Sequence, residues 1–106
     1  IQTMISLQKI EGFDWDTGNA GKSEKHGVTQ IEAEQVFFNE PLLMLHDVKH
    51  SHSEARFHAL GRTNDGRLLH ITFTLRAEGT KIRVISARDM HPKERKSYET
   101  QTEIHP

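Results

Sequence analysis

Among the side chains of this sequence that could do chemistry, Arg56, Arg76, Arg83 and Arg88 are possible phosphate ligands, the adjacent Lys25 and His26 a plausible acid/base pair, and Glu54 a possible base. Guanidinium groups grip phosphate oxygens through charge-assisted, two-point hydrogen bonds. A histidine beside a lysine can move protons near neutral pH, and a carboxylate can accept one. Metal-free cleavage of an RNA phosphodiester needs these side-chain types. One group takes the 2′-hydroxyl proton, cations hold the charge that builds on the phosphate, and another group protonates the departing 5′ oxygen. Each residue also has a plainer reading. An arginine serves equally well in a surface ion pair, and His26 as a helix C-terminal residue favoured by the dipole.

These residues must be positioned by regular elements. Residues 81–88 are rich in β-branched side chains and read as a strand. Strict alternation puts Ile82, Val84, Ser86 and Arg88 on one face, and Arg83, Ile85 and Ala87 on the other. Upstream, 56–62 and 68–75 read as strands joined by a turn at Thr63-Asn64-Asp65-Gly66. In the second of these, Leu69, Ile71, Phe73 and Leu75 alternate with His70, Thr72 and Thr74. The pattern predicts an antiparallel meander with its apolar face under two helices and its polar face open.

Those helices are predicted at about 16–25 and 29–38. The first contains two glycines and has poor helix propensity. Gly27 supplies its C-terminal turn, and Thr29 with Glu32 forms a capping box for the second, with Val28 and Ala33 placed as a staple. Lys25 and His26 fall at the corner between them. A weak strand is predicted at 3–13 and a short edge strand at 41–45, opened by Pro41. A charged helix with Pro92 in its first turn and Tyr98 as its anchor is predicted at about 92–99, and 100–106 as a frayed tail.

Composition narrows the class. A chain of 106 residues with 34% hydrophobic content makes one domain with one modest core. The absence of cysteine excludes disulfides and thiol catalysis. No apolar run is long enough for a membrane span and no signal-peptide pattern opens the sequence, so a cytoplasmic location is expected. Ile1 is no initiator, which leaves Met4 or a position upstream as the natural start. Residues 1–55 hold 4 Lys and Arg against 9 Asp and Glu, whereas residues 56–96 hold 10 against 4. A basic half in a near-neutral protein is the footprint of a polyanion-binding surface, or simply a solvated sheet face.

Four stretches together resemble one family: Phe13-Asp-Trp-Asp16, Lys25-His-Gly-Val28, Glu54-Ala-Arg-Phe-His-Ala-Leu-Gly-Arg62, and Ile82-Arg-Val-Ile-Ser-Ala-Arg88 followed by Glu94-Arg-Lys-x-Tyr98-Glu99. They span about residues 11–99 and are similar to the BrnT family, toxins of bacterial type II toxin–antitoxin systems. The resemblance implies a RelE-like α+β domain, with a four- to five-stranded antiparallel sheet, two N-terminal helices on one face and a short C-terminal helix. It further implies a ribonuclease that blocks translation. A ribbon-helix-helix antitoxin of the BrnA type would silence it, two toxins binding an antitoxin dimer that also holds operator DNA.

Only the resemblance singles out Lys25, His26, Arg56, Arg76, Arg83, Ser86 and Arg88 as a group. Of these, Lys25, His26, Arg56, Arg76, Arg83 and Arg88, together with Glu54, are the expected catalytic residues, and Arg62, Ser86 and Lys93 the expected RNA contacts. His46, His50 and His52 crowd a polar loop, but a His-x-His step without fixed support is a weak metal site. Neither metal nor cofactor is expected. The reading from a different class is a non-catalytic module that binds RNA or a partner and inhibits by occupancy. The sheet's scarcity of aromatics weakens it.

Overall fold

The computed structural model describes residues 6–102, so Met4 and the first part of the strand predicted at 3–13 lie outside the described residues, as do residues 103–106. Its elements are β1 (Gly12–Phe13), α1 (Thr17–Lys25), α2 (Gln30–Val36), β2 (Leu43–Asp47), β3 (Arg56–Arg62), β4 (Leu68–Arg76), β5 (Lys81–Asp89) and α3 (Pro92–Thr102). They form one five-stranded sheet in the order β1-β5-β4-β3-β2. The meander is as predicted, with β4 between β3 and β5, and Pro41 precedes an edge strand. Among the described residues no helix is long and apolar enough to cross a membrane.

Two expectations are corrected. The sheet is mixed, because β1 runs parallel to β5, pairing Gly12 with Lys81 and Phe13 with Ile82. The chain enters along the edge of β5, and among the described residues Gly12 and Phe13 alone are paired with it before α1 begins, flanked by bonds from the Glu11 and Asp14 N–H groups to the Thr80 and Ile82 carbonyls. Leu7–Lys9, also expected to be strand, is a 3-10 turn. The second correction concerns β5. A register shift between Thr72 and Phe73 leaves Ile85 without a cross-strand partner, because Thr72 pairs with Ser86 and Phe73 with Val84. Such a bulge resets the alternation. Ile82, Val84 and Ala87 therefore share the core face, while Arg83, Ser86 and Arg88 share the open one.

Element ends also move. α2 stops at Val36, and β2 runs from Leu43 to Asp47, taking in two residues assigned to the polar loop. α3 continues through Thr102.

The core is a sandwich of α2 on the sheet. Val28, Ala33, Val36 and Phe37 meet Phe57 and Ala59 of β3, Leu69, Ile71 and Phe73 of β4, and Ile82, Val84 and Ala87 of β5. Phe73 is fully buried, with the ring of Phe37 edge-on at 5.1 Å and that of Phe57 stacked at 5.5 Å. Burying a side chain of this size contributes about 1.5–3 kcal/mol.

α1 is held differently. Its buried residues are Asn19 and Ser23, so apolar burial cannot be what secures it. Asp16 and Asn19 cap each other reciprocally, and the Asn19 amide nitrogen donates to the carbonyls of Asp14 at 2.9 Å and Val84 at 2.8 Å. The Trp15 indole N–H donates to Glu34 Oε2 at 2.8 Å and ties the segment to α2. Polar contacts thus dock a glycine-rich helix that propensity alone would leave unstable.

α3 closes the opposite end of the open face. Tyr98 packs with Leu60 and Met90, and its hydroxyl donates to the Pro41 carbonyl at 2.7 Å.

Candidate active site

The open face is laid out by cross-strand pairs, whose side chains point the same way. On β4 and β5 the pairs are Thr74 with Arg83, Thr72 with Ser86 and His70 with Arg88. On β3 and β4 they are His58 with Thr72 and Leu60 with His70. At the edge, Asp47 stands beside Arg56, and Leu45 beside His58. Two cavities open on this surface, one at each end of β5.

The first, of about 300 Å³, is lined by Asn19 and Lys22 of α1, Glu54 in the loop before β3, Arg56 at the start of β3, and Arg83 and Ile85 of β5. Arg83 is held by Asp16, Nη2 to Oδ2 at 2.9 Å, and by Asp14 at 3.5 Å. The Asn19 backbone N–H and then the Arg83 guanidinium keep the Asp16 carboxyl below its ordinary range. Arg76 forms an ion pair with Glu54 at the rim. Arg56 lines the cavity, and among the described residues its guanidinium makes no ion pair or hydrogen bond.

The second cavity, of about 480 Å³, is lined by His58, His70, Arg88, Lys93 and Glu94 around Leu45 and Leu60. Arg88 and Glu94 form a two-point pair, Nη1 to Oε1 at 2.8 Å and Nη2 to Oε2 at 2.9 Å. That pair outweighs burial and, with the His91 N–H, holds the Glu94 carboxyl at about 2.

The rings of His58 and His70 lie 4.8 Å apart. Burial, with Arg88 adding to it, pushes His70 down to about 4, so it is neutral at physiological pH. Its buried Nδ1 has no hydrogen-bond partner among the described residues. His58 is engaged on both sides, Nε2 lying 2.8 Å from Asp47 Oδ2 and Nδ1 3.1 Å from Thr72 Oγ1. Burial raises the Asp47 carboxyl, but the hydrogen bonds from His58 and His50 overcome it and hold the group at about 2.

The structure thus gathers Glu54, Arg56, Arg76 and Arg83 at one end of the face and Arg88 with Lys93 at the other, and Ser86 pairs with Thr72 between them. Lys25, the last residue of α1, and His26, its C-cap, are exposed and line neither cavity. Arg67 fixes their corner, donating to the Gly27 carbonyl at 2.9 Å while pairing with Glu32 and Asp89. Arg62 lies elsewhere, its Nε donating to the Glu40 carbonyl beside an apolar groove. Of the loop histidines, His46 rests against Phe57 at 5.2 Å and His50 pairs with Asp47. Among the described residues no group of three or more His, Cys, Asp or Glu is arranged to hold a metal.

Lys22, Asp47, His58, His70 and Thr72 belong to these clusters and are not among the site residues expected from the sequence. A signal existed for the histidines. The turn at 63–66 sets the register of the hairpin, and that register puts His58 opposite Thr72, with His70 two residues along on the same face.

One family model matches residues 15–94, well over half of the chain, and it describes the ribonuclease toxin BrnT of type II toxin–antitoxin systems. No curated protein matches.

Proposed function

Because the chain belongs to the BrnT family of ribonuclease toxins of type II toxin–antitoxin systems, we propose that it cleaves RNA on the open face of its sheet, without a metal, and so inhibits translation in the cytoplasm. A type II toxin has an antitoxin partner. In this proposal the partner is a BrnA-like ribbon-helix-helix protein whose acidic and apolar residues cover the basic 56–96 surface, with two toxins per antitoxin dimer and operator DNA bound through the antitoxin.

The observation that carries the reading is the bulge at Ile85, which turns Arg83, Ser86 and Arg88 to one side of β5, in line with Arg56 and His58. Arg56, Arg83 and Arg88 are phosphate ligands in this scheme, since a guanidinium on a packed strand loses little entropy on binding. Asp16 holds Arg83 and Glu94 holds Arg88 in position until RNA competes for the same hydrogen bonds. Arg76 and Glu54 form the rim. Lys25 and His26 keep their role as proton-transfer candidates at the α1–α2 corner, and Arg62 and Lys93 theirs as outer RNA contacts.

The test is purified protein on a defined RNA in EDTA, with product ends mapped. Cleavage leaving 2′,3′-cyclic phosphate supports attack by the 2′-hydroxyl under side-chain catalysis. Products ending in 3′-hydroxyl, or cleavage abolished by chelation, would indicate a metal mechanism. RNA that is bound but left intact would mean inhibition by occupancy.

A further inference from the structure

Cleavage through the 2′-hydroxyl needs a base, and Lys25, His26 and their corner line neither cavity. On the open face His58, which lines the second cavity with Arg88 and Lys93, belongs to a group with the required geometry. Asp47 Oδ2, His58 Nε2, His58 Nδ1 and Thr72 Oγ1 form a continuous array, with contacts of 2.8 Å and 3.1 Å. A carboxylate, an imidazole and a hydroxyl in this order make an oriented base with a proton-carrying outlet.

Asp47 is ionised at physiological pH and therefore only accepts hydrogen bonds. In the neutral imidazole, its contact with Nε2 places the ring proton on Nε2. Nδ1 then carries the lone pair and accepts from the Thr72 hydroxyl. Asp47 is itself held by the N–H and ring of His50. The ring of His58 thus has one reactive nitrogen and one orientation.

We propose that Asp47, His58 and Thr72 form the base relay of RNA cleavage, an assignment that rests on the ribonuclease reading above. The 2′-hydroxyl gives its proton to Thr72 Oγ1 as Thr72 passes its own to His58 Nδ1. The 2′ oxygen bonds to phosphorus, the bond from phosphorus to the 5′ oxygen breaks, and that oxygen takes a proton from a water that the open cavity admits, leaving a hydroxide that passes to solvent and is later neutralised by the proton His58 releases. The products are a 2′,3′-cyclic phosphate and a 5′-hydroxyl, and His58 is left as an imidazolium beside the Asp47 carboxylate.

The surroundings suit that charge. The groups facing His58 are Asp47 from β2, His70 and Thr72 from β4, Ser86 and Arg88 from β5, and Lys93 and Glu94 from α3. His70, the nearest ring, is neutral and leaves the incoming proton to His58. Glu94 offsets Arg88 until phosphate takes its place. The same three side chains could activate Thr72 as a nucleophile toward a carbonyl. Thr72 lies mid-strand, however, and not at a turn or a helix N-terminus, where free amides gather into an oxyanion hole. The cations at hand, Arg88 and Lys93, fit a phosphate.

Single-turnover cleavage of a defined RNA oligonucleotide, followed from pH 5 to 9 with melting of each variant alongside, tests the relay. His58→Ala and Thr72→Val should each slow cleavage by about a hundredfold or more, the size expected for a lost general base, with RNA affinity retained. Thr72→Ser, which keeps the hydroxyl, should recover the rate to within about tenfold of the parent. Asp47→Asn should shift the ascending limb of the pH profile, because the tautomer is no longer fixed. Parental rates in His58→Ala or Thr72→Val would overturn the relay while leaving the ribonuclease reading intact, as would failure of Thr72→Ser to recover any rate in a protein that melts normally. A parent protein that leaves RNA uncut fails the ribonuclease reading itself.

Discussion

Arg88 and Glu94 are joined by two parallel hydrogen bonds, at 2.8 Å and 2.9 Å, that link the end of β5 to the first turn of α3. The pair has both a structural and a chemical side, and the two separate on substitution. Arg88→Ala should lower RNA cleavage by roughly 30- to 1,000-fold, the range for a charge contact strengthened in the transition state. Glu94→Gln should cost under about 1 kcal/mol of stability, as for other partly exposed ion pairs. Rates and urea midpoints measured on both variants check this. If Arg88→Ala loses activity only in step with its stability, Arg88 serves the fold.

Acid titration of stability should show two adjoining windows. His70 is pushed down to about 4 from its usual 6.5, so the unfolded chain binds its proton more readily. The stability linked to His70 is complete above pH 6.5 and declines as the pH falls towards 4. Glu94 is held at about 2 against a usual 4.5, so its contribution is complete above pH 4.5 and is lost as the pH falls towards 2. Melting curves of His70→Leu should lack most of the upper decline, whereas Glu94→Gln and Asp47→Asn should each lack only part of the lower one, since both carboxyls are held at about 2. At pH 7, His70→Leu should be equal to the parent or up to about 1 kcal/mol more stable, since an unpaired buried nitrogen is removed. Loss of more than that would show that Nδ1 has a partner in solution.

Gly61 is required by packing. A Cβ there would lie 2.8 Å from Val36 Cγ1 and 3.4 Å from the Val36 carbonyl oxygen. Gly61→Ala should therefore destabilise by about 1–3 kcal/mol, as overpacking does where β3 meets α2. A urea midpoint equal to the parent's would show that α2 yields at no cost.

The expected catalytic group divides by position. Arg56→Ala should reduce cleavage by roughly 30- to 1,000-fold with melting unchanged, because its guanidinium makes no ion pair among the described residues. Arg76→Ala, which frees Glu54 at the rim, should change the rate less. Lys25→Ala and His26→Ala test the corner directly. If both cleave at parental rates while His58→Ala does not, proton transfer belongs to the open face.

Much of this arrangement was legible in the residues. The Asn64-Asp65-Gly66 turn and the alternation from Leu69 to Leu75 determined the hairpin, and the Thr29 and Glu32 capping box is present as read, each side chain bonded to the other's N–H. The bulge at Ile85 was not legible. Nothing in Val84-Ile85-Ser86 distinguishes an interrupted ladder from a regular one, and one unpaired residue was enough to exchange the faces of Ser86, Ala87 and Arg88. β1 was missed as a parallel strand because two residues carry no periodicity. The edge strand predicted at 41–45 ends before Asp47, which β2 includes, and so leaves the array that links Asp47 to His58 unseen.

The Asn19 amide is bonded to the Val84 carbonyl, a separation of 65 residues. α1 is nearly bare of apolar burial, so this bond cannot be replaced by hydrophobic collapse in its absence. During synthesis from N- to C-terminus, α1 emerges long before the strand that holds it. At roughly 5–20 residues per second, the wait is about 3–13 s. The cavity that Lys22 shares with Arg56 and Arg83 therefore has no walls while the chain is being made, and it takes shape only after β5 has cleared the ribosome.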